Sequence, residues 1–354
     1  MNIKKLKLLL YPFSVLHGLV IRTRHWLYDK GLKKSKSFDV PVIKVGNLNL
    51  GGTGKTPHAE YILGMFEDKF KSALLSRGYK RKSVGFQLAS KDSTPDQLGD
   101  EAFQIFRKFP NAIVAVDNKR VNGMEELCRK NIDVVVLDDA LQHRSLDGGL
   151  SILLMDFNRP FYKDFLWPSG TLRDVRNRIT RMDVIIITKC PTDLTKAEQL
   201  KMVQKLQPKL SQQVFFTCYM YNGLLPVFKQ ESLNGQYVKA DNVLLFSGIA
   251  NNEALIEKVS DFSDNVRTIT FGDHHNYGSP DIYKLIKIFD SFANGNNLIV
   301  TTEKDAVKLM AMVLPHEFKL LPIYYLPIKV HFLDRNDYFE ELIYGYVRKN
   351  KGNS

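Results

Sequence analysis

Cysteine is scarce in this chain: Cys128, Cys190 and Cys218 lie far apart and form no C-x-x-C pair. That speaks against a disulfide framework or a zinc site and points to a reducing compartment. Long hydrophobic runs are missing too. The apolar stretch that follows the basic start is interrupted by Pro12 and His17 and ends at Arg22. It falls short of the roughly 20 residues a spanning helix needs. No small-residue cleavage site follows it, so a secretory signal is not expected. Neither an internal repeat nor a low-complexity tract is present. Acidic residues are the minority, 38 against 50 Lys+Arg, for a formal charge of +12. Such an excess suits nucleic acid, a negative membrane surface or phosphorylated ligands. No helix-turn-helix, zinc-finger or aromatic RNA-binding signature accompanies it, and nucleic acid is therefore not expected as a partner.

What is present centres on Val40 to Pro57. Val40 to Val45 reads as a buried parallel strand, Gly51-Gly52-Thr53-Gly54 as a glycine turn, and Lys55-Thr56-Pro57 as the opening of a helix. This order is the context of a phosphate-binding loop, in which backbone N–H groups and a helix N-terminus face phosphate oxygens. Lys55 is expected on the β- and γ-phosphates and Thr56 on Mg²⁺. The usual first glycine is replaced by Asn49, a residue expected to tolerate the left-handed backbone such a loop uses.

Apolar strands then alternate with helices. Asp133 to Asp138 is the clearest strand, and Ser72–Ser76, Ala112–Val116, Leu150–Met155 and Val184–Thr188 are others. The pattern predicts an α/β fold of P-loop NTPase-like type, a mostly parallel sheet flanked by helices. Ligands then sit at the carboxyl ends of the strands. Four segments are expected: an N-terminal helix over 1–30, a nucleotide-binding domain over 31–208, linking strands over 209–240, and a smaller α/β domain over 241–354. In the first, Leu16, Leu19, Val20, Trp26 and Leu27 recur at helical spacing. That stripe fits a helix lying in a membrane interface as well as one packed on the core.

Polar residues cluster at the predicted strand ends. Asp138-Asp139 closes a hydrophobic strand, the Walker-B arrangement that places a carboxylate on Mg²⁺. Arg173 and Asp174, in one loop, suit phosphate contact and metal binding respectively. Gly99-Asp100-Glu101 opens a helix, where acidic residues are favoured by the dipole alone. Asp273-His274 closes a strand of the second domain, and a His–Asp pair meeting across a cleft would serve as a base. Thr301 to Asp305 reads as a capped helix start or a site loop.

Taken in order, these motifs resemble the tetraacyldisaccharide 4′-kinase family. The likeness rests on Gly46-Asn47 with Gly51 to Pro57, Ser76-Arg-Gly-Tyr79, Gly99-Asp-Glu101, and Asp138 to His143. Pro168 to Asp174, Asp273-His274 and Thr301 to Val307 extend it over nearly the whole chain. The resemblance implies transfer of the ATP γ-phosphoryl group, with Mg²⁺, to the 4′-hydroxyl of an acylated glucosamine disaccharide lipid. It implies a helix dipping into the cytoplasmic face of the inner membrane, and a monomer is the working expectation. Residue by residue, it implies Asn49, Gly51 to Thr56 and Arg173 on the nucleotide, and Thr56, Asp138, Asp139 and Asp174 on metal. Asp100 is implied as base, with His274 orienting it and raising its basicity. Asp174 stands where the family often has Glu, Ala102 where it has Pro, and Ala140 where it has Gly. The rival expectation is a membrane-associated ATPase switch of the partitioning type. Its loop carries a Lys before the paired glycines, where this chain has Leu50.

Overall fold

The strand that leads into the glycine loop, β1 (Val42–Asn47), is buried along its whole length. It has to be, because it lies at the centre of a nine-stranded sheet. The computed structural model describes residues 9–221, 223–228, 239–249, 252–293 and 295–351. Its other strands are β2 (Ser72–Ser76), β3 (Gln87–Leu88), β4 (Ile113–Val116), β5 (Val134–Asp138), β6 (Leu150–Asp156), β7 (Val184–Thr188) and β8 (Gln213–Tyr221). β9 (Leu225–Pro226), β10 (Asn242–Ser247), β11 (Val266–Thr270), β12 (Asn297–Thr302), β13 (Ile323–Leu326) and β14 (Ile328–Phe332) complete the set.

The large sheet runs β14-β8-β7-β6-β1-β5-β2-β4-β3. β1 pairs in parallel with β5 on one side and β6 on the other, and the two edge strands β3 and β14 are antiparallel. The continuous Val/Ile/Leu runs therefore follow from two covered faces. The helices that matter to the site are α1 (Tyr11–Asp29), α2 (Lys55–Phe66), α3 (Asp100–Lys108), α4 (Glu303–Met310) and α5 (Asn336–Lys351). A second sheet, β11-β10-β12-β13-β9, is parallel except for β9 and has its own core around Phe246, Leu285 and Phe318.

Two expected boundaries change. The linking segment does not stand apart. β8 pairs with β7 and belongs to the large sheet, while β9 edges the small one. Its residues 229–238 lie outside the described part. The C-terminal stretch also leaves the small unit: β14 pairs with β8. Phe339, Ile343 and Val347 of α5 are buried in the large core beside Phe215 and Phe332. Their i, i+4, i+8 spacing is one apolar helix stripe, and that stripe finds its partner on the first sheet.

Candidate active site

The phosphate loop takes the form that its glycines allow. Gly51 and Gly54 have φ of +96° and +89°, and a Cβ on Gly54 would run into the Tyr219 hydroxyl. Asn49 is not among the left-handed residues. It forms a bridge with Leu172 and donates to Asp164 and Thr171 at 2.9 and 3.3 Å. The expectation of a left-handed Asn49 is thus corrected: its amide ties the loop to the 164–172 turn. Thr53 also faces inward. Its hydroxyl accepts from Asn47 Nδ2 at 2.7 Å and its carbonyl from Thr188 at 2.9 Å. Lys189 donates to the Gly52 carbonyl. Loop shape is set by these side chains, leaving Lys55 and Thr56 at the open end of α2.

Lys55, Asp138, Asp139 and Arg173 come together at the carboxyl ends of β1 and β5. Lys55 Nζ lies 3.8 Å from Asp139. Arg173 grips Asp139 with both terminal nitrogens, one at 2.9 Å, and also reaches Asn47 Oδ1. Burial alone would raise the Asp139 carboxyl, but Arg173 and Lys55 outweigh it and hold the group at about 2. Asp138 behaves oppositely. It is 2% exposed, and burial, with Glu101 and Asp139 nearby, pushes it well above the usual carboxylate range. Its Oδ2 has only a long 3.5 Å bond from Ser76, and its Oδ1 is buried without a partner. An orphaned carboxylate oxygen beside a phosphate loop fits a divalent cation, which would restore the ionised form. Among the described residues no group of three or more His, Cys, Asp or Glu could cage a metal.

Asp174 is a correction. It is 2% exposed, its Oδ1 accepts from His25 of α1 at 2.7 Å and from the Val175 N–H at 2.8 Å, and Arg178 lies 3.9 Å from its Oδ2. Asp174 is spent on fastening α1 and is not carried forward as a metal ligand. Arg173 points to the loop and its neighbour away from it, as successive residues of an extended segment do.

The two sheets meet at Asp100. His274, at the end of the small sheet with φ +59°, places Nδ1 3.1 Å from Asp100 Oδ2. Lys304 Nζ lies 3.1 Å from His274 Nε2 and Lys308 Nζ 2.9 Å from Asp100 Oδ2. The lysine can only donate, so Nε2 accepts and the ring proton sits on Nδ1, facing the carboxylate. Burial opposes ionisation of Asp100, yet the His274 and Lys308 hydrogen bonds carry its carboxyl below the ordinary value. The expectation that His274 raises its basicity is therefore reversed: a donor stabilises the charged form. Tyr79 packs edge-on to His274 at 5.0 Å.

Lys304 and Lys308 were not singled out as site residues from the sequence. Their i, i+4 spacing in a helix capped by Thr302 was the available signal. Asn47, whose two ends join Arg173 to Thr53, stands in the Gly46-Asn47 motif of the resemblance but was given no role of its own. Deeper in the joint, Lys108 bridges Glu60 and Glu303 at 2.7 and 2.9 Å. It connects the helices that begin at Lys55, Asp100 and Glu303.

Comparison with known proteins agrees with this geometry. The family described as tetraacyldisaccharide-1-P 4′-kinase matches residues 6–348. A tetraacyldisaccharide 4′-kinase of Phocaeicola vulgatus is 40% identical over 100% of this chain and 98% of its own. One of Bacteroides thetaiotaomicron is 41% identical over 98% and 94%. The structure of "apo" form LpxK from Aquifex aeolicus in complex with ATP superposes with TM-score 0.75 and 29% identity, covering 97% of this chain and 99% of that one. A phosphate loop, a paired-aspartate strand end and a match along nearly the full length leave one assignment: the chain belongs to the tetraacyldisaccharide-1-P 4′-kinase family.

Proposed function

We propose that the chain transfers the γ-phosphoryl group of ATP to the 4′-hydroxyl of a tetraacylated glucosamine disaccharide 1-phosphate. The observation that carries this reading is the meeting of Asp100 with His274 across the two sheets, beside a complete phosphate loop. A nucleotide switch needs no such acceptor-side pair. Gly51 to Thr56 and the α2 N-terminus would cradle the phosphates, with Lys55 and Arg173 neutralising charge as it spreads in the transition state. Asp138 and Thr56 would hold Mg²⁺, with Asp139 beside them. When bound, the ion supplies charge neutralisation across the β- and γ-phosphates.

Asp100, held ionised by Lys308 and His274, accepts the proton of the sugar hydroxyl at its carboxylate. A base this weak suffices, because phosphoryl transfer is driven mainly by positioning and electrostatics, with the base worth about 10²–10⁴-fold. His274 and Lys304 fix which way that carboxylate faces.

The acceptor is a lipid, and α1 is built for a lipid surface. It buries Ser14, Gly18 and His25 against the protein while Phe13, Leu16, Leu19 and Val20 stand 61, 60, 52 and 61% exposed. An apolar face turned outward from a helix anchored by small and polar residues supports peripheral binding to the inner membrane from the cytoplasmic side. Among the described residues, no helix is long and apolar enough to cross a membrane. The decisive test is incubation with ATP, Mg²⁺ and the tetraacylated disaccharide in detergent. Appearance of the 4′-phosphorylated lipid is expected, and ATP hydrolysis without it overturns the reading.

A further inference from the structure

A polar cavity of about 260 Å³ is lined in part by Arg144 and Arg181, which pair with Asp29 at the C-terminal end of α1. Gly149 and Ser151 at the start of β6 and Asp183 before β7 form part of its wall. Ala140, Leu141, His143 and Arg144, which follow the end of β5, form another part. Lys55, Thr56, Asp100 and His274 are not among the residues that line it.

Its wall carries four cations, Lys44, Arg144, Arg178 and Arg181, and two acids, Asp147 and Asp183. Lys44, 8% exposed in the middle of β1, donates to the Leu146 carbonyl at 2.9 Å. Among the described residues no carboxylate comes within 4.0 Å of its ammonium. Burying an ammonium that rests on a carbonyl is an expensive arrangement, and burial draws Lys44 down to about 8 against the opposing pull of Asp147 and Asp183. Arg178 has one carboxylate, Asp174, at 3.9 Å, and that carboxylate already serves His25. Arg144 and Arg181 share the single carboxylate of Asp29 at 2.7 and 2.6 Å. Of the two acids in the wall, Asp183 accepts the Ser151 N–H at 2.7 Å. Asp147 is the other.

We propose that Lys44, Arg144, Arg178 and Arg181 form a second anion site, which takes a phosphate group. Planar guanidinium forks match phosphate oxygens, and a buried ammonium adds a point charge at the floor. The volume is below that of pockets for whole drug-sized molecules, about 300 Å³ upward, and suits a phosphate with a short polar attachment. The phosphate can come from a lipid headgroup, since Ser35 of the wall and exposed Leu32 lie in the segment that directly follows α1. It can equally come from a soluble phosphate compound. The site itself does not depend on the kinase reading, and only the lipid source rests on the membrane reading.

The test uses the full chain with its phosphate loop filled by a non-hydrolysable ATP analogue and Mg²⁺. Calorimetry with inorganic phosphate is paired with co-sedimentation on phosphatidylcholine vesicles, with and without roughly one-fifth phosphatidylglycerol. Removing one charged hydrogen-bonding partner should weaken phosphate binding by roughly tenfold or more, for Lys44→Gln and Arg178→Gln alike. Asp147→Asn should strengthen it a few-fold, a gain that a misfolded variant cannot mimic. If Lys44→Gln also lowers partition onto the anionic vesicles alone, the source is a headgroup. If phosphate affinity falls while vesicle partition is unchanged, the source is soluble. Absence of phosphate binding to the wild-type chain at about 10 mM, with equal partition of all variants, overturns the proposal. So does weakening by Asp147→Asn.

Discussion

Replacing Lys108 by Met tests whether the joint between the two sheets is held as described. Lys108 lies 2.7 Å from Glu60 and 2.9 Å from Glu303, with side-chain exposures of 31, 6 and 15% in that order. Gln104 donates to the other oxygen of Glu60 at 2.7 Å. Methionine keeps the stem packing and removes the charge, leaving two acids facing each other. Breaking a buried ion pair from one side costs roughly 3–5 kcal/mol, and the part-exposed lysine brings the expected loss to about 2–3 kcal/mol. The pH dependence is sharper. Burial first, then repulsion from Glu303, raises Glu60 from 4.5 to about 7. The folded state therefore keeps that proton to higher pH than the unfolded chain. Stability from this group is full below the ordinary carboxylate value and is lost as pH rises through the raised one. Removing Lys108 raises Glu60 further, so the deficit should be small at pH 5 and largest near pH 8. Urea unfolding at both pH values measures it, and adding Glu60→Gln should restore much of the loss. A deficit under about 1 kcal/mol, or one indifferent to pH, would mean the triad is a solvated surface pair and refute the reasoning.

Three further outcomes are expected. Lys55→Ala should lower kcat more than His274→Ala, because charge neutralisation carries more of the barrier than base orientation. Steady-state kinetics in detergent settles it, and the reverse order sinks the ranking. Leu16→Glu with Leu19→Glu should leave the thermal midpoint unchanged while abolishing vesicle sedimentation, since both side chains already face outward. Unchanged sedimentation would remove α1 from the membrane reading. Asp174→Asn should loosen α1, exposing it to proteolysis, while the Mg²⁺ dependence of activity stays unaltered. A raised Mg²⁺ requirement would return Asp174 to the metal.

The strand β1 and the loop it feeds were legible because a buried parallel strand, glycines and Lys-Thr impose one local geometry. Asp138 and Asp139 were legible for the same reason. What escaped depends on contacts distant in sequence. Nothing in Arg173-Asp174 says that one side chain turns to the loop and the next to His25, 149 residues earlier. The direction of the Asp100 shift was missed because it depends on His274 donating to the carboxylate and on Lys308 arriving from α4, both far away in sequence. The fate of residues 328 onward was missed because an apolar stripe on α5 announces burial without naming its partner. The outward apolar side of α1 was left open for the same reason.

One feature of the fold sets how the Asp100–His274 pair can form. The chain passes from the large sheet to the small one between Tyr221 and Leu225 and returns between Leu326 and Ile328. The strands on both sides of the passage are paired, Tyr221 with Ile328 and Leu225 with Tyr325. The small unit is thus an insertion hung on a two-stranded ribbon. His274 and Lys308, both carried by the insertion, therefore reach Asp100 from a single unit, with Lys304 behind His274.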